Sequence, residues 1–258
     1  MARDRDWIGA EVVGSRIDAL GWSECLDRII GWAARRESRY VCLCNVHSVV
    51  TARRAPEFGR VLNEADLAAP DGAPIAWRLR MLGFRGQPRI SGSELMSGCC
   101  ARAAQEGLAV LLYGGSPETL RRLAARLVRR FPGIQIAGCI SPPFRELTAD
   151  EDAQVTRAIE GSGARIVFVS LGCPKQEEWM AGHRGRIRAV MIGVGAAFDF
   201  HAGVVRRAPR WMRQAGLEWL HRLLSEPRRL WRRYFVTNTL FLAYLFGEVV
   251  DGRRQGNR

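Results

Sequence analysis

The sequence predicts an α/β chain: a parallel sheet with helices on both faces, followed by a helical C-terminal appendage. Three observations predict it. Short apolar, β-branched runs recur up to about Val204. Each is followed by a turn signal and then a helical pattern, the rhythm of strand–helix units that build a parallel sheet. Past about Val204 no strand signal appears, while arginines and aromatic residues accumulate.

Taken in order, the strand-like runs are Val41–Val46, Ala109–Tyr113, Ile134–Cys139, Arg165–Leu171 and Ala189–Val194. The helical patterns are Ser23–Ala34, Ala73–Leu82, Glu94–Gln105, Pro117–Phe131, Ala149–Glu160 and Pro174–His183. Internal repeats and low-complexity tracts are absent. The reading divides the chain into a core at 1–203, an appendage at 204–250 and a disordered tail at 251–258.

Composition narrows the function classes. With 258 residues and 47% hydrophobic content, a sizeable buried core is expected. Seven cysteines, an odd number with Cys99 and Cys100 adjacent, suit a reduced compartment better than a disulfide framework. The opening MARDRDWIGAEVVG has no apolar h-region, so no signal peptide is expected. The apolar run Leu240–Phe246 is far short of the about 20 residues a spanning helix takes. A soluble or peripheral, cytoplasmic protein is expected. The formal charge is +13, and Lys175 is the single lysine among 39 basic residues.

Ligands of a parallel sheet bind beyond the carboxyl ends of its strands. Four segments fall there: Cys44-Asn45-Val46-His47, Gly114-Gly115-Ser116-Pro117-Glu118, Gly172-Cys173-Pro174-Lys175-Gln176-Glu177, and Gly193 to Asp199. In the second, Ser116 reads as an N-cap and Pro117 as the first helical residue. Glycines there let backbone approach a ligand, and a helix N-terminus offers N–H groups to phosphate. Lys175 adds a point charge suited to diphosphate. One such loop is ordinary βα-turn chemistry; four on one edge favour a nucleotide-phosphate site. None matches G-x-x-x-x-G-K-[ST], and GVGAAF departs from G-x-G-x-x-G.

Asp71, in Ala69-Pro70-Asp71-Gly72, is plain turn chemistry unless the turn lies at the sheet's carboxyl edge. There it would face substrate as a base. Arg89 reads either as a surface ion pair or as a bidentate phosphate ligand. A resident metal or cofactor is not expected: His47, His183, His201 and His221 lack metal-site spacing, and Cys42 and Cys44 read as core residues.

From Val204 to Arg233, nine arginines stand against Glu218 and Glu226, a net +7 over 30 residues, interleaved with tryptophans. A solvated face does not need the tryptophans. A nucleic-acid module would bring a recognition motif, which is missing. Association with an anionic membrane surface accounts for both features.

The motifs CNVHSVV, DLAAPDGAPIAW, RISGSELM, LLYGGSPETL, SLGCPKQEEWM, IGVGAAFDFHAG and RRAPRWMRQAGLEWLHRLLSEPRRLWRRY occur in this order between roughly Gly14 and Gly247. With them the chain resembles the WecG/TagA/CpsF family of glycosyltransferases. The resemblance implies a Rossmann-like core and an inverting, metal-independent transferase. The donor implied is a UDP-sugar, with N-acetylmannosamine, its uronic acid or a related sugar. The acceptor implied is linked to a polyprenyl diphosphate in surface polysaccharide or teichoic-acid-type synthesis, at the inner membrane face. It further implies Asp71 as general base, with Asn45 beside it. Arg89 and Gln176 would contact donor or acceptor, Asp199 the nucleotide, and Arg222, Arg229 and Arg232 a diphosphate. The family's Thr-x-Asn threonine is Leu43 here, which leaves the donor sugar open. Other partner classes kept in view are a second copy of the chain in a homo-oligomer and, as rival readings, an NAD-type oxidoreductase and a nucleic-acid-binding protein.

Overall fold

The computed structural model describes residues 7–255, apart from the side chains of Gln214, Arg229 and residues 249–255. It opens with a hairpin, β1 (Gly9–Val12) and β2 (Ser15–Asp18), whose turn residues Val13 and Gly14 both have positive φ, 55° and 75°. Such a turn matches the twist of paired strands. The core follows as α1 (Trp22–Ala34), β3 (Arg39–Cys44), α2 (Val46–Arg54), α3 (Pro56–Asn63), β4 (Leu67–Pro70), α4 (Ala73–Met81) and α5 (Gly92–Glu106). It continues through β5 (Ala109–Gly114), α6 (Pro117–Arg130), β6 (Gln135–Ile140), α7 (Ala149–Gly161), β7 (Ile166–Ser170), α8 (Lys175–His183), β8 (Val190–Gly193) and α9 (Ala197–Ala202). The appendage is α10 (Arg210–Gln214), α11 (Glu218–Ser225) and α12 (Pro227–Gln255).

The six-stranded sheet is parallel throughout, in the order β4-β3-β8-β7-β5-β6. This is the α/β, Rossmann-like architecture expected, with a helical C-terminal end. Strand residues alternate between two core layers. Val41, Leu43, Ile166 and Phe168 pack on one face with α1, α5 and α6. Tyr40, Cys42, Cys44, Val167 and Val169 pack on the other with α2, α3 and α8. Burial on both faces is why the strands read as continuous apolar runs. The order of strand addition reverses at the sheet's middle: β3 connects outward to β4 and β5 outward to β6, and β8 and β7 lie between them. A crevice at the carboxyl edge follows from that reversal.

One boundary differs from the sequence reading, and three strands were not recognised in it. The first core strand ends at Cys44, not Val46, because Asn45 stops it. The Asn45 Oδ1 accepts the N–H groups of His47 and Ser48, and Ser48 Oγ accepts the Asn45 N–H at 2.8 Å, a reciprocal cap. The strand β4 and the β1–β2 hairpin carry no run long enough to be recognised. Asp18 joins them: its Oδ2 accepts the Ala68 N–H at 2.6 Å, and its Oδ1 accepts from Trp7 Nε1 at 2.9 Å.

The appendage packs on the core. Phe241 and Leu245 of α12 are buried in the same layer as α2, and Arg78 Nη2 donates to Glu248 Oε2 at 3.1 Å. Among the described residues, no helix is long and apolar enough to cross a membrane. The expected tail at 251–258 begins inside α12, and residues 256–258 lie outside the described residues.

Candidate active site at the carboxyl edge of the sheet

The loops after β3, β4, β5, β7 and β8 converge on one cavity of about 1450 Å³. That exceeds the usual range of small-ligand pockets, about 300–1,000 Å³, and leaves room for two substrates. The core contributes Asn45, Asp71, Arg89, Gly115, Gly172, Lys175, Gln176 and Asp199 to its lining, and the appendage adds Glu218, Arg222 and Arg233. Nearly all the core positions singled out in the sequence therefore share one space.

Asp71 follows the last residue of β4, so its turn does lie at the sheet's carboxyl edge. Its N–H donates to Cys44 C=O at 2.8 Å, and Ile90 N–H donates to Pro70 C=O at 2.8 Å, which fixes the turn from both sides. Burial pushes the Asp71 carboxyl up from 3.8 to about 6. Arg89 pulls it down, Glu218 raises it, and hydrogen bonds from the Gly72 N–H and the Asn45 side chain pull it down. Asn45 Oδ1 is occupied by the start of α2, so the Asn45 amide NH₂ is the donor that faces Asp71. A carboxylate in this state is ionised at pH 7 and more basic than an exposed one.

Gln176 is 6% exposed; its Nε2 donates to Glu177 Oε1 at 2.9 Å, and its Oε1 is buried without a partner. A Cβ on Gly193 would stand 3.0 Å from that Nε2, so glycine is what admits the side chain. Burial raises Glu177 to about 7. Lys175 opens α8 at the cavity, and Asp199 sits in the first turn of α9. Ser116 caps α6, its Oγ accepting the Thr119 N–H at 3.1 Å, with Pro117 first in the helix as expected.

Two expected residues are placed differently. Gly114 lies outside the cavity lining. Its φ is 108° and a Cβ would fall 2.3 Å from Ser170 C=O, so it serves the close approach of β5 to β7. Arg232 is exposed and likewise outside the lining, whereas Arg233 is within it. A step of one residue turns a helix by about 100°, which separates the two guanidinium groups. The Arg229 side chain lies outside the described residues. Arg222 lines the cavity with its guanidinium 5.7 Å from the Phe200 ring.

Sequence reasoning missed Arg233 and His47 as a facing pair. Burial and the Arg233 charge bring His47 down to about 4, so its ring is neutral at pH 7. The spacing of Arg233, Thr237, Phe241 and Leu245, four residues apart each time, is the signal that marks the inner face of α12. An ion network also went unseen. Glu94 accepts from Arg207 at 3.0 Å and Arg213 at 3.2 Å, while Glu218 accepts from Arg89 and Arg207, both at 3.3 Å. Arg89 is thus both an ion-pair partner and a wall of the cavity.

Against known proteins, the family model described as "Glycosyl transferase WecG/TagA/CpsF family" matches residues 10–255, almost the whole chain.

Proposed function

The chain belongs to this family of glycosyl transferases, and on that premise we propose that it moves a sugar from a UDP-sugar to a polyprenyl-diphosphate-linked acceptor, with inversion and without a metal. The observation that carries this reading is Asp71. A raised carboxylate lines the large cavity at the sheet edge, held by the Asn45 amide, and Arg89 lines the same cavity.

In the proposed reaction Asp71 takes the proton of the acceptor hydroxyl. The hydroxyl oxygen bonds to the anomeric carbon as the bond from that carbon to the diphosphate oxygen breaks. The leaving UDP carries the electron pair. Arg89, Lys175 and helix-end N–H groups would stabilise its charge, with Arg222 and Arg233 adding theirs from the appendage. Asp199 and the loop after β8 would meet the nucleotide, and Gln176 Oε1 offers an unused acceptor for a sugar hydroxyl.

Membrane association is the second half of the proposal. On α12, Arg228, Trp231, Arg232, Phe235, Leu242 and Phe246 are all exposed and fall on one helical stripe. Arginine and aromatic residues on one stripe suit an anionic interface. Leu242 also lines the cavity, so the stripe runs to its mouth. This face would seat the protein on the inner surface of the cell membrane, where a lipid-linked acceptor is held.

A thermal-shift screen of UDP-sugars tests the donor. UDP and one or more UDP-sugars should raise the melting temperature while NAD(H) does not. Protection by NAD(H) alone would favour the oxidoreductase reading instead.

A further inference from the structure

The basic appendage also delivers a carboxylate to the cavity. Glu218, the first residue of α11, has a side chain only 16% exposed and lines the same cavity as Asp71. Its Oε2 accepts from Arg89 Nη1 at 3.3 Å and its Oε1 from Arg207 Nε at 3.3 Å. Glu94 takes the remaining contacts: Arg207 Nη2 at 3.0 Å, Arg213 Nη1 at 3.2 Å, Ser91 Oγ at 2.9 Å, and Arg89 Nη2 at 3.8 Å. Two carboxylates and three guanidiniums thereby join the appendage to the core wall.

Within this network Arg89 is the cation that bears most on Asp71. Burial is the largest influence on Asp71; the others come from each side of the turn: Glu218 from α11, the Gly72 N–H from its own loop, and the Asn45 side chain from the start of α2. Arg89 faces two demands that conflict. A bare guanidinium beside the base stabilises a leaving diphosphate, but it also weakens the base, because a nearby cation favours the ionised carboxylate over the protonated one. A carboxylate seated on that guanidinium removes the conflict before the diphosphate carries its leaving charge.

We propose that Glu218 is a positioning residue of the transfer: clamped on Arg89 by the docked appendage, it screens that guanidinium from Asp71 and so keeps Asp71 a competent base. The appendage then contributes to the chemistry through charge as well as by covering the cavity. This inference rests on Asp71 being the general base.

The test needs no substrate. The full-length protein is labelled with ¹³C at the aspartate carboxyls, and the Asp71 resonance is assigned by its loss in Asp71→Asn. Its shift is then followed between pH 4 and 8 in the wild type and in Glu218→Gln. The wild-type midpoint is expected at about 6. In Glu218→Gln it should fall by about one pH unit, since the variant both frees Arg89 and removes a like charge. Coincident midpoints would overturn the proposal, whatever happens to activity. Should Glu218→Gln not fold, Glu218→Asp, which draws the carboxylate back from Arg89, must show a smaller shift in the same direction. Coincidence of that curve with the wild type would equally overturn it. The base reading has its own test: an Asp71→Asn variant that transfers sugar at the wild-type rate sinks both ideas, whereas an inactive one beside an unmoved Glu218→Gln midpoint sinks only this one.

Discussion

Asp71 unites the local chain and the whole fold. The residue was legible as an aspartate–glycine turn, but its place at the sheet's carboxyl edge was not, because that depends on Leu67–Pro70 being a strand. Its basicity was not legible, because it comes chiefly from burial of the carboxyl in the folded site, with Arg89 lowering it and Glu218 raising it from elsewhere in the chain. Asp71→Asn should lower the transfer rate by about 10²–10⁴-fold, with UDP affinity nearly unchanged, as measured by calorimetry beside a turnover assay. In the wild type, the rate at low substrate should rise with pH through about 6 as Asp71 loses its proton. The same shift has a stability consequence. The folded-state value lies above the ordinary one of 3.8, so the folded state holds this proton more tightly than the unfolded chain does. The group's favourable contribution is complete below about 4 and is lost as pH rises through about 6. Above that pH, Asp71→Asn should therefore stabilise the protein by about 1–3 kcal/mol, visible as a higher melting temperature. A lower melting temperature at pH 8 would contradict the burial argument.

At the scale of elements, helices with clear caps were readable. Ser116-Pro117 opens α6 as its residues dictate, and Ser116→Ala should cost about 1 kcal/mol in chemical denaturation. The hairpin and β4 were hidden for physical reasons. The hairpin turns on Val13 at positive φ, where Asn or Asp would have marked it. β4 is only four residues ending in proline, and at the sheet edge a strand tolerates proline. In α12 the net basic charge concealed two faces. The inner one, with Phe241 and Leu245 buried, packs on α2, and the outer one carries the exposed arginines and aromatics. Phe241→Ala should cost about 3 kcal/mol and speed proteolytic cleavage within residues 204–250. Unchanged protection would mean that α12 is held by something other than this packing.

At the scale of the whole molecule, the chain splits its work between a sheet edge and a basic roof. The sheet positions the cavity-facing loops through the reversal between β3 and β5. The roof adds Arg222, Arg233 and Glu218 to the same cavity. The sequence marks a change of character near Val204. Which arginines turn inward was not legible, because it depends on where α12 docks. Reversing the outward pair, Arg228→Glu with Arg232→Glu, should abolish pelleting with anionic liposomes, since each basic residue near such a surface contributes about 1 kcal/mol. Donor binding should survive, because both side chains are exposed. The proposed transfer in this cavity, from a UDP-sugar to a lipid-linked acceptor, is read out by mass spectrometry of the acceptor. The full-length protein is incubated with prenyl-diphosphate-linked sugar and a panel of UDP-sugars, without added metal. Expected are an acceptor heavier by one sugar residue, UDP released in equal amount, and both formed about 10²–10⁴-fold more slowly with Asp71→Asn. An unmodified acceptor with every UDP-sugar, or an equal rate with Asp71→Asn, would contradict the proposal.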